Sequence, residues 1–298
     1  MKLIALFTCY IILYCDITLA TSYLLPQQDS RIIGQETVHI AEKGDYFQAL
    51  AEHYNVGFYA LMAANPTVDP FLITAGASIN IPTQMLLPYA KREGIVVNLA
   101  ELRLYYFPPN ENTVHVFPVG IGREGLLTPR IVSYISEKRE NPTWQPTEAT
   151  RQRHFKETGE LLAQEILPGP DNPFGKHALR IGQSVYLLHG SNQRFGIGMR
   201  ASAGCIRLYD DDIAWLFEHI ALDTPIRIVD QAIKVSYEPD NSQLIEIHEP
   251  LSYSQGDEAE PMLTPAILAF VGNKKITRTF FNEQMKKQNG LVHQLPRK

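Results

Sequence analysis

His189 and Cys205 are the side chains whose types and spacing most directly suggest chemistry. They bracket the run His189-Gly-Ser-Asn-Gln-Arg-Phe-Gly-Ile-Gly-Met-Arg-Ala-Ser-Ala-Gly-Cys205-Ile-Arg-Leu. A free thiol titrates near ~8.5, so only a few per cent is thiolate at neutral pH unless a base or cation assists it. A histidine within hydrogen-bond reach gives that assistance and can return the proton to a leaving amine. Glycines at 190, 196 and 198 allow the intervening chain to fold back and bring Cys205 to His189, although spacing alone does not force the pairing. Gly204 lets the backbone approach a substrate, amides of Gly204 and Cys205 could hold an oxyanion, and Arg207 could bind a carboxylate. The bland alternative makes Cys205 a small buried apolar residue and His189 a strand-end histidine.

The other cysteines are Cys9 and Cys15, inside the opening stretch MKLIALFTCYIILYCDITLA. One basic residue, Lys2, precedes an apolar run from Leu3 to Tyr14 that is shorter than the roughly 20 residues needed to span a bilayer. Thr18 and Ala20 put small residues before Thr21, so residues 1–20 read as a cleavable signal peptide, with an uncleaved anchor as the alternative. Only Cys205 survives such processing, which excludes an internal disulfide. A solitary thiol in an oxidising compartment calls for a reason. A zinc site is disfavoured, because His189 and Cys205 are two ligands where about three or four are needed, and His177 and His219 lack ligand-like spacing. The chemistry requires no metal or organic cofactor.

Positioning such a pair takes a strand that ends at a loop, and the apolar run Val185–Leu188 leads straight into His189. ELRLYYF and the run at Val114 and Val116 alternate around Pro108-Pro109-Asn110, which predicts a hairpin. HALRIG, SVYLLH and PIRIVD predict further short strands, so residues 94–237 read as one mostly β domain with long loops. Within it Ile213, Leu216, Phe217 and Ile220 follow a helical period behind Asp210, Asp211 and Asp212, which are expected to serve as caps and dipole partners. Residues 37–83 read as strand, helix, helix, strand, with Gly44-Asp45 as turn and helix cap and Asn65-Pro66 as a stop. Residues 238–298 form an extension of unreadable role, with a basic helix expected over 276–288. The predicted class is α+β and multidomain.

A chain of 298 residues accommodates about two domains. Its net charge of −5 comes from 27 basic and 32 acidic residues mixed along the chain, which excludes a basic footprint for nucleic acid.

The 37–83 segment resembles the LysM module in Gly44-Asp45, Leu50-Ala51, Ala64-Asn65-Pro66 and the closing Gly76, Ile79, Ile81 and Pro82. That resemblance implies binding of N-acetylglucosamine-containing glycans, with Gly44, Asp45, Asn65 and Pro66 as the candidate contacts. The run HG…IG…SAGCIRL resembles the active-site signature of the YkuD-type L,D-transpeptidases. Gly94-Ile-Val-Val-Asn-Leu-Ala, Thr128-Pro129-Arg130, Pro142-Thr-Trp-Gln-Pro146 and Gly169-Pro-Asp-Asn-Pro-Phe-Gly175 are similar to the Gram-negative subgroup that attaches Braun-type lipoprotein to peptidoglycan. Ala203 and Arg130 stand where many members carry His and Gly, and neither change removes a reacting atom.

The resemblance implies a periplasmic enzyme in which Cys205 attacks the meso-diaminopimelate–D-alanine bond of a tetrapeptide stem and His189 is the base. It further implies that the Gly190 carbonyl orients His189, that amides of Gly204 and Cys205 hold the oxyanion, and that Ser202 and Arg207 shape the site. The acceptor is then a lysine of an outer-membrane lipoprotein or a second diaminopimelate, giving a 3→3 cross-link. Two other readings are a non-catalytic peptidoglycan-binding protein and a stem-peptide hydrolase with the same dyad.

Overall fold

The computed structural model describes residues 21–27, 29–252 and 261–296; the expected signal peptide and the acidic stretch 256–260 lie outside them. The main sheet has nine strands in the order Thr21–Leu24, Thr113–Pro118, Arg103–Phe107, Gly94–Asn98, Pro225–Val229, Val132–Glu140, His177–Ile181, Leu187–His189 and Ile206–Arg207. Pairing is parallel between Gly94–Asn98 and Pro225–Val229 and between Leu187–His189 and Ile206–Arg207, and antiparallel elsewhere. Gly120 and Arg207 exchange backbone hydrogen bonds, tying the last strand back to the chain just after Thr113–Pro118. The predicted hairpin is present, with Tyr105 opposite Val116.

Both faces of this sheet are covered. Leu104 and Tyr106 join Ile95, Val97 and Phe117 in the main core, while Tyr105 and Phe107 join Val96, Val114 and Val116 on the other side. Two-sided burial explains why the sequence there is apolar almost without interruption. Helix Asp210–His219 seals the main core with Ile213 and Leu216. Its N-cap is Tyr209, with no side-chain cap, so the three aspartates occupy the first turn without capping it. There they meet the positive end of the helix dipole.

Thr37–Ile40 and Ser78–Ile81 pair antiparallel around helices Phe47–His53 and Phe58–Ala64, enclosing a small core of Phe47, Leu50, Phe58, Leu61, Ile79 and Ile81. Asp45 is not the helix cap expected from sequence; the N-cap is Tyr46. The Asp45 carboxylate instead accepts from the Glu42 amide at 2.7 Å and meets His39 Nε2 at 2.8 Å, closing the turn onto the first strand.

The chain beyond residue 232 makes a separate layer. Ile233–Tyr237, Gln243–His248 and Asn289–Gln294 form a three-stranded sheet covered by helices Pro265–Val271 and Lys275–Lys287. The boundary expected at residue 237 therefore moves ahead of Ile233. IKVSY alternates like the strands before it, and nothing local to it announces the change of sheet. A buried ionic cluster locks the layers together. Lys234 Nζ lies 2.8 Å from Glu101 and 2.9 Å from Glu246, and Arg103 lies 3.2 and 3.1 Å from the same carboxylates.

Candidate active site

Leu188 is in register with Ile206, and His189 with Arg207, across the parallel pair. Leu188 and Ile206 belong to the main core. The two-residue period of a strand therefore turns His189 and Arg207 to the opposite face, with Cys205 in the turn immediately before Ile206. The register lays the turn bearing Cys205 beside the strand that ends at His189.

His189 is buried, and its Nδ1 lies 2.6 Å from the carbonyl of Gly190. A carbonyl only accepts, so Nδ1 carries the proton and Nε2 the lone pair. Phe174 packs on the ring at 4.7 Å between centroids. Burial pushes the imidazole down to about 3; the Gly190 contact opposes the shift and the Arg207 charge adds to it. Cys205 is half-buried, and among the described residues its thiol hydrogen-bonds to the Val185 carbonyl at 4.0 Å rather than to His189. Burial raises the thiol above its ordinary value, against a backbone hydrogen bond from Leu187 and the charge of Arg207. The resting pair is accordingly neutral thiol and neutral imidazole.

The turn that presents Cys205 is held by side chains. Ser202 Oγ donates to the Cys205 carbonyl at 2.5 Å and accepts from the Gly204 amide at 3.0 Å. That corrects the sequence reading of Gly204 as an oxyanion donor, because its N–H is already engaged. Gly204 has φ +111°, and a Cβ there would lie 2.9 Å from the Tyr186 ring, so only glycine fits. Thr128 Oγ1 donates to the Gly204 carbonyl and accepts from the Gly122 amide, both at 2.9 Å. Arg207 is half-buried, with its Nε lacking a partner among the described residues.

Asp210 is the supporting residue that sequence reasoning assigned elsewhere. Its Oδ1 accepts from the Ser191 amide at 3.0 Å. A Cβ on Gly190 would come within 2.1 Å of that same oxygen. The carboxylate therefore buttresses the backbone whose carbonyl holds His189. Asn172 was also missed: fully buried, it donates to Pro142 O at 2.7 Å and Ile166 O at 3.2 Å, and accepts from the Phe174 amide at 2.9 Å. The available signal was a polar Asn inside a Pro- and Gly-rich loop, which often means a loop tied from within.

Of the candidate glycan contacts, Asn65 is buried, and its amide bonds Leu61 O, Asn80 O and Asn80 N. It is a staple of the small unit, with no group left for a ligand. Asp45 closes its own turn, Gly44 supplies a left-handed φ of +99°, and Pro66 is exposed. Glu101, Glu246 and His248 converge as metal-type ligands, but Lys234 and Arg103 already balance the two carboxylates. Those residues fit an ionic junction better than a metal centre.

Residues 92–228 match the L,D-transpeptidase catalytic domain, and residues 232–292 match the L,D-transpeptidase C-terminal domain. The Escherichia coli protein "Probable L,D-transpeptidase YcfS" is 50% identical over 254 residues, covering 84% of this chain and 78% of that one. "Probable L,D-transpeptidase ErfK/SrfK" of the same organism is 42% identical over 286 residues, covering 93% and 92%. "Probable L,D-transpeptidase YbiS", also from E. coli, is 40% identical over 286 residues, covering 93% of each chain. The chain belongs to the L,D-transpeptidase family and is an acyl-transferring enzyme.

Proposed function

We propose that this enzyme works in the periplasm of a Gram-negative bacterium on the tetrapeptide stems of peptidoglycan, with Cys205 as nucleophile and His189 as base. The observation that supports it is the parallel register that lays the turn bearing Cys205 beside the strand ending at His189, with His189 Nδ1 held by the Gly190 carbonyl. The Cys205 sulfur attacks the carbonyl carbon between meso-diaminopimelate and D-alanine while its proton passes to His189 Nε2. Of the expected donors the Cys205 amide remains for the oxyanion, since Ser202 engages that of Gly204. Collapse breaks the C–N bond, His189 returns the proton to the leaving D-alanine amine, and a thioester remains on Cys205.

An amine acceptor then attacks the thioester, and cysteine thiolate leaves with the proton restored through His189. The acceptor is the lysine of an outer-membrane lipoprotein or a second diaminopimelate. The LysM-like unit contributes affinity for glycan strands. The half-buried Arg207, whose charge acts on both His189 and Cys205, receives a substrate carboxylate. The test is mass spectrometry of products formed from purified tetrapeptide muropeptides, with and without a peptide ending in lysine. Loss of D-alanine with a lysine adduct establishes protein attachment, dimers establish cross-linking, and tripeptide alone shows water as acceptor. Absence of product under all of these conditions would overturn the proposal in favour of a wall-binding protein.

A further inference from the structure

The strand–helix–helix–strand unit is packed directly on the arm that ends at Cys205. That arm comprises Phe195–Gly198 and Arg200–Ser202, and the second segment runs parallel to Ile121–Gly122. Between them Met199, a residue of the catalytic domain, packs its side chain against the apolar core of the small unit. The Gly198 Cα is so close to Gly57 that a Cβ on Gly57 would lie 3.1 Å from it. A Cβ on Gly198 would lie 2.3 Å from the Gly57 Cα. Glu52 Oε2 meets Arg194 Nε at 3.3 Å on the same arm, and Asn55 faces Asp212 at 3.5 Å. The opposite side of the arm is stitched to the segment at Ile121–Gly122, with Ile121 N bonded to Met199 O and Arg123 N to Ser202 O, both at 3.0 Å.

Ser202, three residues beyond Met199, makes the two hydrogen bonds that shape the Cys205 turn. A shift at 198–199 is therefore passed through a short, hydrogen-bonded segment to the nucleophile. We infer that the small unit is a positioning element of the reaction centre as well as a candidate wall anchor, and that Gly57 is its principal positioning residue. Close backbone approach at Gly57–Gly198 fixes the arm, and the arm fixes Cys205. Misplacement by about 1 Å at a reacting group can cost on the order of 100-fold in rate. This inference rests on Cys205 being the nucleophile.

Gly57 permits a clean test. It sits at φ −74° and ψ 142°, which any residue adopts, and besides Gly198 the nearest neighbour to an added Cβ is Ala60 at 3.8 Å. A larger side chain is thus accommodated within the small unit and refused at the interface. Thioester formation on Cys205 is to be followed by intact-protein mass in the mature chain, with tetrapeptide muropeptide as donor. Gly57→Leu is expected to slow the saturated acylation rate about 10- to 100-fold. Gly57→Ala is expected to slow it less.

A charge-swap set excludes simple misfolding. Glu52→Arg and Arg194→Glu should each slow acylation several-fold, and the double variant should recover most of the rate. Wild-type acylation rates in Gly57→Leu, or in both single charge variants, would overturn the inference. So would a double swap no faster than either single variant. Wild-type protein that forms no thioester would overturn the assignment of Cys205 itself, and this inference with it.

Discussion

At the junction with the C-terminal sheet, Glu101, Glu246, Arg103 and Lys234 are buried as charges that answer one another, whereas His189 and Cys205 are held neutral by burial. Burial alone would raise Glu246, but Lys234, His248 and Arg103 hold it well below the usual carboxylate range. Its carboxylate is held ionised among paired charges, and such a cluster fixes geometry. The thiol and imidazole carry no such commitment: neither hydrogen-bonds to a carboxylate among the described residues. Their proton is free to move once a substrate brings its own charge and expels water. The difference separates the part of the molecule that holds shape from the pair proposed to react.

Removing the reacting atom should have the largest effect. Cys205→Ala is expected to lower product formation by at least about 1,000-fold with little change in melting, as assayed on muropeptides. Full activity in that variant would remove the reaction from this site. The ionic junction should respond in the reverse sense. Lys234→Met leaves two buried carboxylates with Arg103 and, at Glu246, His248, and breaking a buried set this way costs about 3–5 kcal/mol. The melting temperature should fall by roughly 10 °C, while alkylation of Cys205 in the folded protein stays near the wild-type rate. A melting temperature unchanged by Lys234→Met would mean that the junction contributes little.

Between these extremes lies Asp210, which touches neither reacting atom. Asp210→Ala removes the acceptor for Ser191 N and the wall behind Gly190. Turnover should drop about 10- to 100-fold through a misplaced His189, with only a small loss of stability. Equal loss of turnover and stability would place Asp210 with the junction rather than with the site.

How much of this was legible from residues alone follows the range of the interactions. The hairpin at Arg103–Phe107, the helix at Asp210 and the four elements of the small unit show in local periodicity, because each buries a face defined by nearby residues. His189 and Cys205 were legible as chemistry, but how the turn bearing Cys205 lies against the strand ending at His189 depends on a parallel register that spacing alone does not specify. The role of Asp210 was hidden because an aspartate opening a helix already has a sufficient local explanation. The Gly204 amide was misassigned because Ser202, two residues earlier, competes for it in a way that only the turn geometry reveals. The docking of Gly57 on Gly198 left no sequence signal beyond two glycines.

The neutrality of the pair is open to direct measurement. With the thiol raised and the imidazole depressed to about 3, the iodoacetamide reaction of Cys205 should climb steadily through pH 7–9. Thiolate fraction sets that rate, so each pH unit below the thiol's pKa changes it about tenfold. An inflection near pH 6–7, or a plateau at neutral pH, would show a preformed thiolate–imidazolium pair instead. The comparison with the ionic junction would then fail.

Asp212 lies between the two regimes and should give the smallest effect. It is buried where the small unit meets the catalytic domain; Oδ1 accepts from Asn55 at 3.5 Å, and Oδ2 lacks a partner among the described residues. Burial raises its carboxyl to about 7, with Asp211 adding to the shift and Asn55 opposing it. The folded state therefore holds a proton that the unfolded chain releases near its ordinary ~3.9. Its contribution to stability is full below about pH 4 and is lost as pH rises through about 7. His189 acts in the opposite sense below its unfolded value of ~6.5, because the folded state resists protonating it, and comparing Asp212→Asn with wild type at each pH cancels that contribution. Asp212→Asn should be close to neutral at pH 4, increasingly stabilising as pH rises toward 7, and stabilising by at least about 1–2 kcal/mol at pH 8, as read from urea unfolding. A difference independent of pH would show that Asp212 stays charged throughout, and would align this interface with the paired junction rather than with the neutral centre.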